Sequence, residues 1–108
     1  MDGWTAVDTL DAAQLGVELG DRATLVQFST AFCQPCRATR RVLAAVAGMV
    51  EGVAHVEIDA EAHLTLVRGL GISRTPTVLV LDAAGRIVRR AAGLPRTADV
   101  VAALGEAM

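Results

Sequence analysis

The chain has 108 residues, of which 53% are hydrophobic and 20% are charged. This length predicts a single domain over residues 1–108, and the composition excludes a disordered chain. The formal net charge is −2, which gives no electrostatic basis for binding nucleic acid or an anionic membrane. The first twenty residues contain neither Arg nor Lys, and no long apolar segment follows them. We therefore expect no membrane insertion and a cytoplasmic protein.

The pattern of apolar residues predicts helices and strands that alternate along the chain. Asp11 is expected to cap a short helix that runs to about Leu19, and the branched, apolar run TLVQFS at 24–29 is typical of a buried strand. The remaining predicted elements are a helix over 34–49, a strand over 53–58, a helix over 60–70, strands over 77–81 and 86–91, and a last helix capped by Thr97. The order α-β-α-β-α-β-β-α predicts an α/β fold, with a mixed sheet between helices on both faces.

Two of the helices are predicted to be amphipathic. In the helix over 34–49, the apolar residues that repeat at helical spacing are Val42, Val46, Met49 and Val50. In the last helix they are Val100, Val101 and Leu104. These faces are expected to pack against the sheet.

The only two cysteines, Cys33 and Cys36, are separated by Gln34 and Pro35. A pair at this spacing, placed where a strand gives way to a helix, predicts a switch between dithiol and disulfide. A helix N-terminus stabilises a nearby anion by up to about 2 kcal/mol, and a thiol pKa falls by one unit for about 1.4 kcal/mol. Cys33 is therefore the predicted nucleophile, and Cys36, one turn further, the resolving thiol.

Two other interpretations of the cysteines remain open at this point. Both cysteines can be ordinary small core residues, since buried Cys is common. Alternatively, the pair supplies two of the four ligands of a zinc site that His55 and His63 would complete. We favour the switch, and predict no metal site.

The stretch VQFSTAFCQPCRATRRVL, the later RTPTVLVLDAAGRIV and Gly93 resemble the thioredoxin family over about residues 20–105. The resemblance implies a thioredoxin fold with a central mixed sheet of four to five strands, and the reduction of protein disulfides by thiol exchange. It implies protein disulfide substrates, a reductase as electron donor, no bound cofactor and a monomer. It also implies a cis peptide bond before Pro76.

By the same resemblance, six residues around the dithiol bind or tune the substrate: Phe32, Gln34, Pro35, Thr75, Pro76 and Gly93. Phe32 stands where the family often has Trp, although a core aromatic is the alternative. Gln34 replaces the usual Gly, either as a tuning residue or as a neutral surface substitution. The Thr75 hydroxyl is expected to hydrogen-bond near Cys33, unless Thr75 is simply a β-branched residue in an extended segment.

Gln27 and His55 are the candidate proton relay. Thioredoxins typically carry a buried Asp at the position of Gln27, and often Lys at the position of His55. Because an amide is not a base, His55 or Glu57 on the same strand face would have to relay the proton of Cys36 through water. The alternative is that solvent takes this proton. A second hypothesis for the whole chain is a redox-sensing or partner-binding module without enzymatic turnover.

Overall fold

The strands and helices follow one another in the predicted order. The structure, a computed structural model, describes residues 8–108, so residues 1–7 of the predicted domain lie outside the described residues. The elements are α1 (Ala12–Leu15), β1 (Ala23–Ser29), α2 (Gln34–Met49), β2 (Val53–Asp59), a 3₁₀ turn (Ala60–Ala62), α3 (Leu64–Gly69), β3 (Thr77–Asp82), β4 (Ile87–Ala92) and α4 (Thr97–Ala107). The predicted bounds of α2 match the structure.

The four strands within residues 8–108 form one mixed sheet in the order β2-β1-β3-β4. β1 is parallel to β2 and antiparallel to β3, which is in turn antiparallel to β4. The short turn at Gly85, whose φ is 88°, joins the last two strands in their antiparallel pairing. A mixed sheet with helices on both faces confirms the predicted architecture.

β1 lies in the middle of the sheet, and all seven of its residues are buried. Side chains alternate between the two faces of a strand, so β1 contributes to two apolar cores. Leu25 packs on the face covered by α2 and α4, with Leu43 and Leu104. Phe28 packs on the opposite face, with Leu15 of α1 and Leu70, which follows α3. The central position of β1 explains why its sequence shows a continuous apolar run rather than alternation.

The first helix is shorter than predicted. Asp11 caps it as expected, because its side chain accepts a hydrogen bond from the Gln14 backbone N–H at 2.8 Å. The helix ends after one turn at Gly16, which has the left-handed φ of 77° that glycine tolerates best. Leu19 lies outside the helix, although it still packs against the core.

The segment 60–70 does not form the single helix that was predicted. Asp59 caps the 3₁₀ turn, because its side chain accepts a hydrogen bond from the Glu61 N–H at 2.9 Å. His63 then leaves the helical region, with φ −133° and ψ 50°, before α3 begins. The His63 Nδ1 atom lies 3.0 Å from the Asp59 carbonyl oxygen, and this hydrogen bond stabilises the break between the 3₁₀ turn and α3.

Three predictions about helix positions are wrong. Thr97 is the first residue of α4, and Arg96 occupies the cap position without a side-chain cap. Met49 and Val101 were placed on buried faces but are 66% and 48% exposed. Leu43, which the apolar repeat did not include, is completely buried in α2.

Among the described residues, no helix combines the length and apolar character needed to cross a membrane.

Candidate active site

Cys33 and Cys36 lie at the start of α2, and a disulfide joins them across a Cα–Cα distance of 5.2 Å. Cys33 is the cap residue of α2 in an extended conformation, and Pro35 lies in the first turn, where a missing N–H is tolerated. The Cys33 Sγ atom accepts a hydrogen bond from the Cys36 backbone N–H at 3.2 Å. Cys36 is only 1% exposed, whereas Cys33 is partly exposed. The first sulfur is thus the accessible one.

Phe32 presents its ring to solvent directly before the first cysteine. Its side chain is 96% exposed, so the alternative interpretation as a core aromatic is wrong. Its backbone has a φ of 60°, which is unfavourable for any residue with a Cβ atom by about 1–2 kcal/mol. Such conformations are concentrated at functional sites, where the surrounding structure imposes them.

The loop with the predicted cis proline and the loop with Gly93 lie next to each other. The Thr75–Pro76 peptide bond is cis, as predicted. The Gly93 backbone N–H donates to the Pro76 carbonyl at 2.8 Å, and Gly93 has a left-handed φ of 89°. The Thr75 hydroxyl is 3.2 Å from the Thr30 hydroxyl, so it contacts the segment between β1 and the dithiol. The predicted hydrogen bond near Cys33 is therefore made three residues earlier in the chain.

Gln27 is completely buried, and its amide connects the dithiol helix to two strands. Its Nε2 atom donates to the Cys36 carbonyl at 2.7 Å and to the Ser29 hydroxyl at 2.9 Å. Its Oε1 atom is 3.2 Å from His55 Nε2. Because a backbone carbonyl only accepts, the amide orientation is determined, and His55 Nε2 must carry the hydrogen. The structure thus brings the two candidate relay residues into contact, and their role in proton transfer stays a prediction.

The network continues from Gln27 and His55 to the surface through Ser29, Glu57 and Arg40. The sequence did not predict that these three residues contact one another. Glu57 receives a bidentate pair of hydrogen bonds from Arg40 of α2, at 2.6 and 2.8 Å. The hydrogen bond from Arg40 lowers the pKa of Glu57 below its ordinary value, and one with Ser29 adds to the shift. Ser29 could have been found from the sequence, because its spacing of two residues from Gln27 puts both side chains on one face of β1.

Burial disfavours the protonated form of His55. Removal from water lowers the pKa of His55 below its ordinary value, although the negative charge of Glu57 opposes this and Arg40 supports it. Burial is the largest of the three effects. A neutral imidazole with its hydrogen on Nε2 matches the contact with Gln27 Oε1.

Residues 7–106 match the family profile described as Thioredoxin. This chain belongs to the thioredoxin family. No curated protein sequence gives a significant match.

Several solved thioredoxin structures share the fold. A chloroplastic thioredoxin z is 27% identical, with a TM-score of 0.74 and coverage of 94% of each chain. Thioredoxin f from spinach chloroplast is 25% identical, with a TM-score of 0.70, over 82% of this chain and 78% of that one. Thioredoxin from Fasciola hepatica is 19% identical, with a TM-score of 0.70, over 82% and 84%. A thioredoxin domain with this cysteine pair supports thiol–disulfide oxidoreductase chemistry in general.

The remaining candidate residues of this thioredoxin domain lie at its surface or away from the dithiol. Gln34 is exposed, and its Oε1 atom accepts from Arg37 Nη1 at 3.4 Å. His55 and His63 have partners other than the cysteines, namely Gln27 and the Asp59 backbone. Within residues 8–108, no group of three or more His, Cys, Asp or Glu side chains is arranged to hold a metal ion.

Proposed function

We propose that this protein reduces disulfide bonds of other proteins in the cytoplasm. The observation that carries the proposal is the position of Cys33 Sγ, which is accessible and accepts the Cys36 N–H at the start of α2. In the reduced protein, the same N–H and the positive end of the helix dipole stabilise a thiolate at this sulfur. Cys36 is buried and follows it by three residues, which suits a resolving thiol.

The reaction proceeds in two exchanges. The Cys33 thiolate attacks one sulfur of the substrate disulfide, the substrate S–S bond breaks, and the departing thiolate takes up a proton. Cys36 then loses its proton and attacks Cys33 Sγ, which releases the second substrate thiol and forms the Cys33–Cys36 disulfide. The substrate gains two electrons and two protons, and a reductase partner returns two electrons to the pair. The chain itself needs no bound cofactor for these steps.

The surface beside Cys33 supports a protein as the substrate. The exposed ring of Phe32 directly precedes Cys33, and the loops of Pro76 and Gly93 adjoin the segment before the dithiol through the contact between Thr75 and Thr30. Exposed aromatic rings next to a reactive group are typical of protein–protein contact. Gln34 and Pro35, both exposed between the cysteines, complete this surface.

A trapping experiment tests the proposal. Cys36→Ser removes the resolving thiol, so Cys33 should retain substrate proteins as mixed disulfides that reductant releases. The double variant Cys33→Ser/Cys36→Ser is the matched control and should retain none. Mass spectrometry of the released proteins gives the result, and an equal yield from both variants would contradict the proposal.

A binding module on the same fold is the second candidate, and the 96% exposed Phe32 ring favours it. The two candidates differ in their dependence on sulfur. A binding module would retain its partner when both cysteines are replaced by Ser, whereas a reductase would lose turnover with either replacement. Retention of the partner by the double variant, measured beside turnover of a protein disulfide by the wild type, therefore separates them.

A further inference from the structure

A polar cleft lies beside the cis-proline loop and is lined by residues that flank this loop and by the end of β4. Its volume is about 350 Å³. Two arginines, Arg74 and Arg90, line it together with Ser73 and Thr77. The other lining residues are uncharged, so the guanidinium groups supply the charge of the cleft: Gly71, Ile72, Ala91 and Ala92.

The pairing of β4 explains why Arg90 faces this cleft. Arg89 and Arg90 are neighbours in β4 and lie opposite Val80 and Leu79 of β3, so they point to opposite faces of the sheet. Arg89 faces α4, where Glu106 accepts two hydrogen bonds from it at 2.6 and 2.7 Å. Arg90 faces the other side, over Gly71.

Neither arginine of the cleft is neutralised by the part of the chain that the structure describes. Among residues 8–108, Arg40, Arg89 and Arg96 form ion pairs with carboxylates, whereas Arg74 and Arg90 form none. Two guanidinium groups in one cleft, with no carboxylate partner among residues 8–108, repel each other, and an anion between them removes that repulsion. A carboxylate is the natural match, because guanidinium and carboxylate form paired, nearly parallel hydrogen bonds.

The cleft adjoins the surface on which the proposed reaction takes place. Arg74 directly precedes the cis Thr75–Pro76 bond, and its carbonyl accepts a hydrogen bond from the Thr77 hydroxyl. Ala92, which lines the cleft, precedes Gly93, whose N–H binds the Pro76 carbonyl. A substrate segment that lies along the Pro76–Gly93 loops would therefore pass the mouth of the cleft.

We propose that this cleft binds an acidic side chain of the substrate protein, within a few residues of the disulfide that Cys33 attacks. The proposal rests on the proposed reductase function and adds a preference among its substrates. Arg74 and Arg90 determine which substrate is preferred, because they bind its carboxylate. They take no part in the sulfur exchange itself. The expected effect is on kcat/KM, through KM, because the contact is made in the bound complex before the exchange.

The test compares two disulfide-linked peptides that differ only in Glu or Gln near the cysteine, with both peptide ends blocked. Wild type should reduce the Glu peptide with a kcat/KM about fivefold higher, as expected for an exposed charge pair of about 1 kcal/mol. Arg74→Gln and Arg90→Gln should each reduce this preference, and the double variant should abolish it. Reduction of the Gln peptide should stay unchanged in all of them.

Arg86→Gln is the matched control. It removes the same charge from the chain, at the opposite end of β4 from Ala92, and should keep the full preference. Raising the salt from about 0.05 M to about 0.5 M should weaken the wild-type preference by screening the charges. A third peptide carries Lys in place of Glu. Arg90→Glu should reduce this Lys peptide with a higher kcat/KM than the Glu peptide, the reverse of the wild-type preference.

The outcomes distinguish the cleft from the reaction. Equal reduction of the Glu and Gln peptides by wild type would overturn the cleft proposal and leave the reductase function intact. Loss of the preference in Arg86→Gln as well would also overturn it, because the effect would then come from overall charge. A wild type that reduces neither peptide would contradict the reductase function and, with it, this proposal.

Discussion

Gln27 has an unusual position for an uncharged polar residue, because it is completely buried and makes three hydrogen bonds through the two polar atoms of its side chain. It joins the Cys36 carbonyl, the Ser29 hydroxyl and His55. A buried amide with both N–H donors and its oxygen engaged holds its neighbours in one arrangement. We infer that Gln27 acts as a tether between the first turn of α2 and the central strand, which keeps the resolving cysteine in place.

Replacing Gln27 by Leu is expected to destabilise the protein by about 1–3 kcal/mol. The buried Cys36 carbonyl and Ser29 hydroxyl lose their hydrogen-bond partner, while the volume of the side chain stays similar. The measurement is urea denaturation of the oxidised protein. Gln34→Leu, at an exposed position in the same region, is the control and should change the free energy of unfolding by less than about 0.5 kcal/mol. Equal effects of the two variants would contradict the tether.

At the scale of elements, α2 shows how a helix selects its buried face. The apolar repeat placed Met49 on the buried face and omitted Leu43. In the structure Leu43 is buried and Met49 is exposed. Ala47 and Val50, on either side of Met49, pack against the core, so Met49 faces away from it and is exposed to solvent. Which residues of an amphipathic helix are buried depends on where the sheet lies beneath it.

Leu43→Ala should therefore destabilise the protein by about 2–5 kcal/mol, because it leaves a cavity in the core between α2, α4 and the sheet. Met49→Ala removes a side chain of similar size from a position that is 66% exposed and should be nearly neutral. Thermal or urea denaturation measures both. The reverse order of the two effects would show that the helix is rotated relative to this structure.

At the scale of the whole molecule, the stability should depend on pH through two groups of the polar network. Burial lowers the pKa of His55, so between its folded value and its unfolded value of about 6.5 the unfolded chain binds more protons. Stability then rises with pH through this window and is lost as the pH falls from about 6.5. Glu57, whose pKa is lowered mainly by Arg40, adds a loss at more acidic pH, below its ordinary value.

We expect the free energy of unfolding of the wild type to decrease as the pH falls below about 6.5, and that of His55→Gln to decrease less over the same interval. Denaturant titrations at several pH values provide the comparison. An NMR titration of the imidazole protons, assigned with His63→Gln, gives the His55 pKa directly. Parallel pH curves for wild type and His55→Gln would contradict the assignment to burial.

The sequence alone determined the order of elements, the bounds of α2 and the site of the dithiol, because these depend on local patterns: apolar periodicity, turn residues and the spacing of Cys33 and Cys36. The resemblance added the cis bond at Pro76. Only the tertiary structure showed the contact of Gln27 with Cys36, the link from Ser29 to Arg40, and the convergence of Arg74 and Arg90 on one cleft. These contacts join residues far apart in the chain, and they exist because strand pairing brings distant segments together, which no local pattern encodes.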